Sequence, residues 1–408
     1  MADRAAELRE LAEDPPRDVD PETFARTVAS HPGDANVIGE ALVALESAAA
    51  TEAIAAVASL LDADDVTVRR GAALALRTSF ETHPVPVRGL AGTLAAALSD
   101  EDHLVRNHAG VALANLSWAH PSASVAAIGD LPPALDPNRL DLLSSALDVA
   151  TVAVETDPGA AVPLLDALFD VLLGLAERDD HGPIESIPNE LSEAATDYQR
   201  QHRTELRRQR GRVVNVIATI LVESPEAAAS VRNSLADALS DEAVGEHRAS
   251  LAEVVGHVAE GHPDAVAPAI DPLVGLLDDP DRAVAASAAR SLGILAETSG
   301  DRVADAVVGR VGALVDLLGA ETPRARVASA GLLAYVGEFR PEAVRSATAA
   351  LLEGLDDGEA DVRATAALAL GYAGVPEALV PLRELTGDPD ERVRATAERA
   401  IDRIEDHE

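Results

Sequence analysis

The stretch from Leu355 to Gly374, LDDGEADVRATAALALGYAG, constrains this chain more than any other, because the same phrase returns with changes along most of its length. It reads LDADDVTVRRGAALAL from Leu61, LSDEDHLVRNHAGVALANL from Leu98 and LDDPDRAVAASAARSLGIL from Leu277. From Leu318 it reads LGAETPRARVASAGLLAYVG, and from Leu385 LTGDPDERVRATAERAI. Equivalent positions lie 37 residues apart from Val68 to Val105 and from Ala325 to Val362, and 31 apart from Val362 to Val393. Such an interval is the signature of stacked helix pairs, each burying its apolar face on the next rather than around a common centre.

The phrase predicts its own local structure. Its aspartates end one loop and open the next helix, where a carboxylate accepts backbone N–H bonds and meets the positive end of the helix dipole. Ala366, Ala367, Leu368 and Leu370 form a buried seam, Gly371 and Gly374 allow a tight exit, and Pro341 or Pro376 starts a return helix. Helices over 3–12 and 21–30 are expected to cap the array. Pairs follow through 34–61, 65–98 and 102–132, then 138–176. The rhythm fails at ERDDHGPIESIPNE, 177–190, which reads as an inserted polar loop. A long helix over 191–222 follows, then regular pairs to 385 and a closing helix over 390–406. The expected organisation is N-terminal repeats with a cap over 1–176, the loop over 177–193, and C-terminal repeats with a cap over 194–408, as one continuous solenoid.

Composition narrows the possibilities. Of the 408 residues 70 are acidic and 33 basic, a formal charge of −37, and every basic residue is arginine. Acid excess without lysine resembles proteins of organisms that keep molar salt in the cell, where a Debye length of about 3 Å screens self-repulsion. With no cysteine there are no disulfides, thiolate metal sites or thiol nucleophiles. The N-terminus, MADRAAELRELAEDPPRD, lacks the apolar core of a signal peptide, and no stretch reaches 18 uninterrupted apolar residues. These features predict a cytoplasmic protein without a membrane anchor.

The repeated phrase resembles the HEAT repeat family, and its last units resemble the phycobilin-lyase-type HEAT-like subgroup. The resemblance covers most of the chain and is weakest over 1–50 and 130–240. It implies an all-α fold: a right-handed α-solenoid, or superhelix, of about nine antiparallel helix pairs with capping helices. It also implies that a turn aspartate and the arginine of the Val-Arg phrase pair between neighbours in a ladder. The candidates are Asp62 with Arg69, Asp100 with Arg106, Asp356 with Arg363 and Asp388 with Arg394; Ala285 breaks the series. In the family the second helices of each pair line a groove for a partner. The scaffold itself hosts varied functions.

The sharpest local feature is Tyr198 to Arg212, YQRQHRTELRRQRGR, with Arg200, Arg203, Arg207, Arg208, Arg210 and Arg212 against the lone Glu205. Arg200, Arg203, Arg207 and Arg210 follow helical spacing as one stripe. With Leu206 the one apolar residue here, this half of the helix is expected to project from the packed body. The stripe is either a site for an acidic partner, phosphate ligand or nucleic acid, or it is neutralised internally by Glu177, Asp179, Asp180, Glu185, Glu190 and Glu193. Phosphate-driven binding weakens steeply with salt, which argues against DNA. Trp118, in NLSWAHP at a helix end, is a core residue or a groove anchor.

No P-loop, GxGxxG, HExxH or His pair at i, i+4 is present, and the His-Glu of His407-Glu408 stands alone. The expected function is therefore a non-catalytic adaptor that holds a protein partner in its groove, with no cofactor, metal or small-molecule ligand. Two alternatives belong to other classes: a HEAT-like lyase or hydroxylase, and a nucleic-acid-associated protein using the 200–212 arginines.

Overall fold

Asp65, Asp102, Asp281 and Asp390 each stand immediately before a helix and accept backbone N–H bonds from its first turn. This is the role the repeated phrase predicts. The computed structural model describes residues 20, 22–45, 47–180 and 192–406. The expected helix over 3–12, the central part of the insertion and His407-Glu408 lie outside the described residues. Everything described is helix, turn or loop, with no strand among the described residues.

The helices that carry the phrase, or occupy its place, are numbered here along the chain. They are α1 (Ala35–Val43), α2 (Val66–Thr82), α3 (His103–Ala119), α4 (Leu140–Thr156) and α5 (Ser192–Glu223). Then come α6 (His247–Gly261), α7 (Arg282–Val307), α8 (Pro323–Phe339), α9 (Ala360–Ala373) and α10 (Glu391–Asp406). The described residues fall into two compact units, 20–178 with 192–220, and 221–406 with 179–180. In the first unit α1 packs on α2, α2 on α3 and α3 on α4. In the second α6 packs on α7, α7 on α8, α8 on α9 and α9 on α10. The connecting helices form a second row, such as Leu90–Ala96 against Ser122–Ala127 and Val311–Leu318 against Thr348–Gly354.

Small residues set the spacing of the first row. A Cβ on Gly39 would come within 2.7 Å of the Ala75 carbonyl oxygen, and one on Gly371 within 2.8 Å of the Ala400 backbone. Backbones this close leave room for nothing larger than hydrogen. Gly374, at φ +60°, closes α9, and its neighbour Val375 bonds back to the Leu370 carbonyl. On α10 the inward positions are Val393, Thr396, Ala397, Ala400 and Ile404, while Glu398, Arg399 and Asp402 face outward.

Three expectations are corrected. The ladder is displaced by one loop: Arg69 binds Asp100 rather than Asp62, and Arg363 binds Asp388 rather than Asp356. Arg106 and Arg394 donate to the backbone carbonyls of Asp100 and Asp388, not to their carboxylates. The reason is geometric. Four residues into its helix, each arginine folds one guanidinium nitrogen onto two carbonyls of its own loop, Ala63 and Asp64 for Arg69. The remaining edge then faces the next repeat. Second, the return helices are not continuous, because a 3-10 turn interrupts them at Val162–Leu164, Ala267–Ala269 and Arg345–Ala347. Pro163 and Pro268 lack the N–H that a continuous helix would use. Third, the helix expected to end before 177 runs to Asp180.

One segment, Pro158–Arg178, is long and apolar enough to cross a membrane. It is interrupted by Asp166 and Asp170 and buries Leu165, Leu168, Phe169, Leu172 and Leu175 in the core.

Candidate partner-binding site

Trp118 is the penultimate residue of α3, directly after the buried Leu116 and Ser117. Its side chain is 58% exposed. Beside it a cavity of about 340 Å3 is lined by Val154 and Val216 and by the polar residues Asp148, Thr151 and Glu155 of α4 and Arg212, Asn215 and Thr219 of α5. The polar residues recur at three- and four-residue spacing, so each helix offers one polar stripe to the same hollow.

Arg212 organises the floor. It donates to the carbonyl and hydroxyl of Ser144 at 3.2 and 3.1 Å and to Asp148 at 2.5 Å, joining α5 to α4. One turn earlier Arg208 pairs with Glu205 at 2.8 Å, and this guanidinium holds the Glu205 carboxyl below its ordinary value. Glu155 is exposed and makes no hydrogen bond or ion pair with the described residues. On the α2 side of α3, His108 is half-buried, with Nδ1 3.2 Å from Arg77, and burial followed by this neighbouring charge lowers its pKa.

The arginine stripe is divided by the fold. Arg200, Arg203, Arg207 and Arg208 are exposed, whereas Arg210 is 4% exposed and Arg212 is engaged with α4. None of the six lacks a polar or electrostatic contact. The helix therefore does not project from the body as far as Arg212. Leu206 and Gln209 are buried, and packing begins at that turn. Trp118 is neither core nor on the second row of helices, where the groove was expected. Both it and the arginines belong to the row that carries the repeated phrase. Asp148, Glu155, Asn215 and Thr219 escaped sequence reasoning. A signal was present: Glu81, Trp118 and Glu155 stand 37 residues apart, in register with the repeat.

Among the described residues no group of three His, Asp or Glu side chains could hold a metal ion. The site offers an aromatic face, one unpaired carboxylate, the Asp148–Arg212 pair, an amide, hydroxyls and two valines, suited to recognition through contact.

Residues 348–408 match the family model for HEAT repeats. No curated protein sequence matches the chain. Its fold is similar to that of an engineered protein, at TM-score 0.56 and 20% identity, covering 95% of this chain and 99% of that one. It is also similar to a structure concerned with a phosphorylation switch in the interaction between cadherin and β-catenin. There the TM-score is 0.57 at 17% identity, covering 94% of this chain and 80% of that one. The chain is thus an all-helical repeat protein whose residues 348–408 match the HEAT-repeat model.

Proposed function

We propose that the protein is a non-catalytic scaffold that binds a protein partner on the phrase-bearing helix face of its first unit. The observation that carries this reading is the exposed indole of Trp118 at the rim of the α4–α5 cavity. An aromatic ring left in water beside a hollow costs hydrophobic free energy, which a partner's contact recovers; such residues are the usual anchors of interfaces. Exposed Arg200, Arg203, Arg207 and Arg208 extend the surface along α5 and supply charge for an acidic part of the same partner. Arg212 supports the site from within. The fold also occurs in a structure concerned with a protein–protein interaction.

The test is co-purification of the tagged full chain from its own host at native salt, compared with W118A and R203E/R207E. A stoichiometric partner should be captured by the native chain and lost with W118A, by about 2 kcal/mol or thirtyfold in affinity for an anchor residue. R203E/R207E should slow association more than it speeds release. Equal capture by all three chains, or none by the native chain, overturns the proposal.

A further inference from the structure

We infer that the Trp118 site takes a cationic side chain, an arginine or lysine from a basic segment of the partner. This rests on the partner-binding reading above and names the chemistry of the contact.

The argument starts from the register of the repeats. The residues that close α2, α3 and α4 are His83, His120 and Asp157. Two positions before each stand Glu81, Trp118 and Glu155. Because α2 packs on α3 and α3 on α4, the indole has an exposed glutamate at the same helical level on each neighbouring helix. The corresponding position before His262 and Arg340 is Glu260 and Glu338, also exposed. Trp118 therefore stands between acids at the same position of α2 and α4, whereas α1, α5 and α9 carry Leu42, Val222 and Tyr372 there.

The two flanking carboxylates differ. Glu81 is engaged by Arg77 at 3.0 Å on its own helix. Glu155 lines the Trp118 cavity, is exposed, and has no partner among the described residues. Asp148, held by Arg212, lines the same hollow.

A cation is the ligand this set accepts at least cost. It lies on the negative face of an indole and meets an uncommitted carboxylate at once. An apolar side chain seated there would strip water from Glu155 without replacing it. An acidic side chain would face the uncommitted Glu155, while Asp148 is already neutralised by Arg212 of the same lining.

Trp118 is the chain's sole tryptophan, so its fluorescence reports this site alone. The full chain is titrated at one fixed salt concentration with hexa-arginine and, separately, hexa-glutamate peptide. Hexa-arginine should give a saturable change, and E155Q should weaken it at least fivefold. E398Q, a remote exposed glutamate on α10, should change it less than twofold. By calorimetry W118L should weaken binding about tenfold. Circular dichroism of each variant checks that the fold is kept. No saturable change with hexa-arginine, tighter binding of hexa-glutamate, or equal weakening by E398Q and E155Q overturns the inference; the last would mark diffuse attraction to an acidic surface. Loss of partner capture in W118A without a hexa-arginine response leaves the scaffold reading standing and removes the cation. A specific hexa-arginine response with no protein partner captured does the reverse.

Discussion

Arg69, Arg326 and Arg363 are each shared between two loops, and the sharing explains which residues the repeats keep together. Arg326 donates to the carbonyls of Ala320 and Glu321 in its own loop and to Asp357 of the next at 2.7 and 3.0 Å. Asp357 in turn accepts the N–H of Glu359, which opens α9. The same arrangement holds for Arg69 with Asp100 and Arg363 with Asp388. Arg248 reaches Asp279 from a different position in its helix. Where the arginine is missing, at Ala285, the residue that would have been its aspartate is Ala320. Both partners are lost together, because a half-buried carboxylate without its guanidinium is worse than none. R326A is accordingly expected to lower unfolding free energy by about 2 kcal/mol, and R326A/D357A by about 1 kcal/mol, in denaturant titrations at pH 7. Arg326 holds the Asp357 carboxyl below the ordinary 3.8. The pair's contribution is therefore complete above pH 4 and disappears as pH falls through the lower folded value. Below that value the single and double variants should coincide. Additive effects at pH 7 would show that the two residues act independently.

At the scale of the element, helix spacing depends on glycines placed against a neighbouring backbone. Gly371 on α9 meets Ala400 of α10, and Gly337 on α8 meets Tyr372 of α9. G371V should force α10 away and cost about 2 to 3 kcal/mol. Limited proteolysis should then release the residues after 390 first, and an unchanged cleavage pattern would contradict the close-packing account. A different glycine serves a bend. The run Arg282–Val307 turns at Ser299, at φ −131° and ψ 38°, and a Cβ on Gly300 would meet the Phe339 ring at 2.4 Å. The phrase-bearing helix and its return helix thus meet at a hinge filled by a ring from the following repeat.

Charge acts on the whole molecule. An excess of 37 negative charges is distributed over acidic rows that the arginine pairs offset only locally. At molar salt this repulsion is confined within about 3 Å, and at 10 mM it reaches about 30 Å. We expect the helical circular dichroism signal and the cooperativity of melting to fall on dialysis from molar to millimolar KCl. Unchanged melting would refute the inference that the chain is built for high salt.

The sequence alone determined the helical repeat, the capping aspartates, the close-packing seam and the long helix over 191–222. All of these are local or periodic, and a chain that repeats a phrase states its period and buried face several times over. Only the tertiary structure decided where the arginines of that phrase reach. The choice between Asp62 and Asp100 depends on the distance to the next repeat, not on distance along the chain. It also decided that Arg210 is buried while Arg203 is exposed, on one helical stripe, because packing starts at Leu206. Trp118 shows the division most clearly. Its register with Glu81 and Glu155 was written in the sequence, but its exposure was not. Core or surface at a helix end is settled by how far the neighbouring last turns cover it, and Trp118 is left 58% exposed.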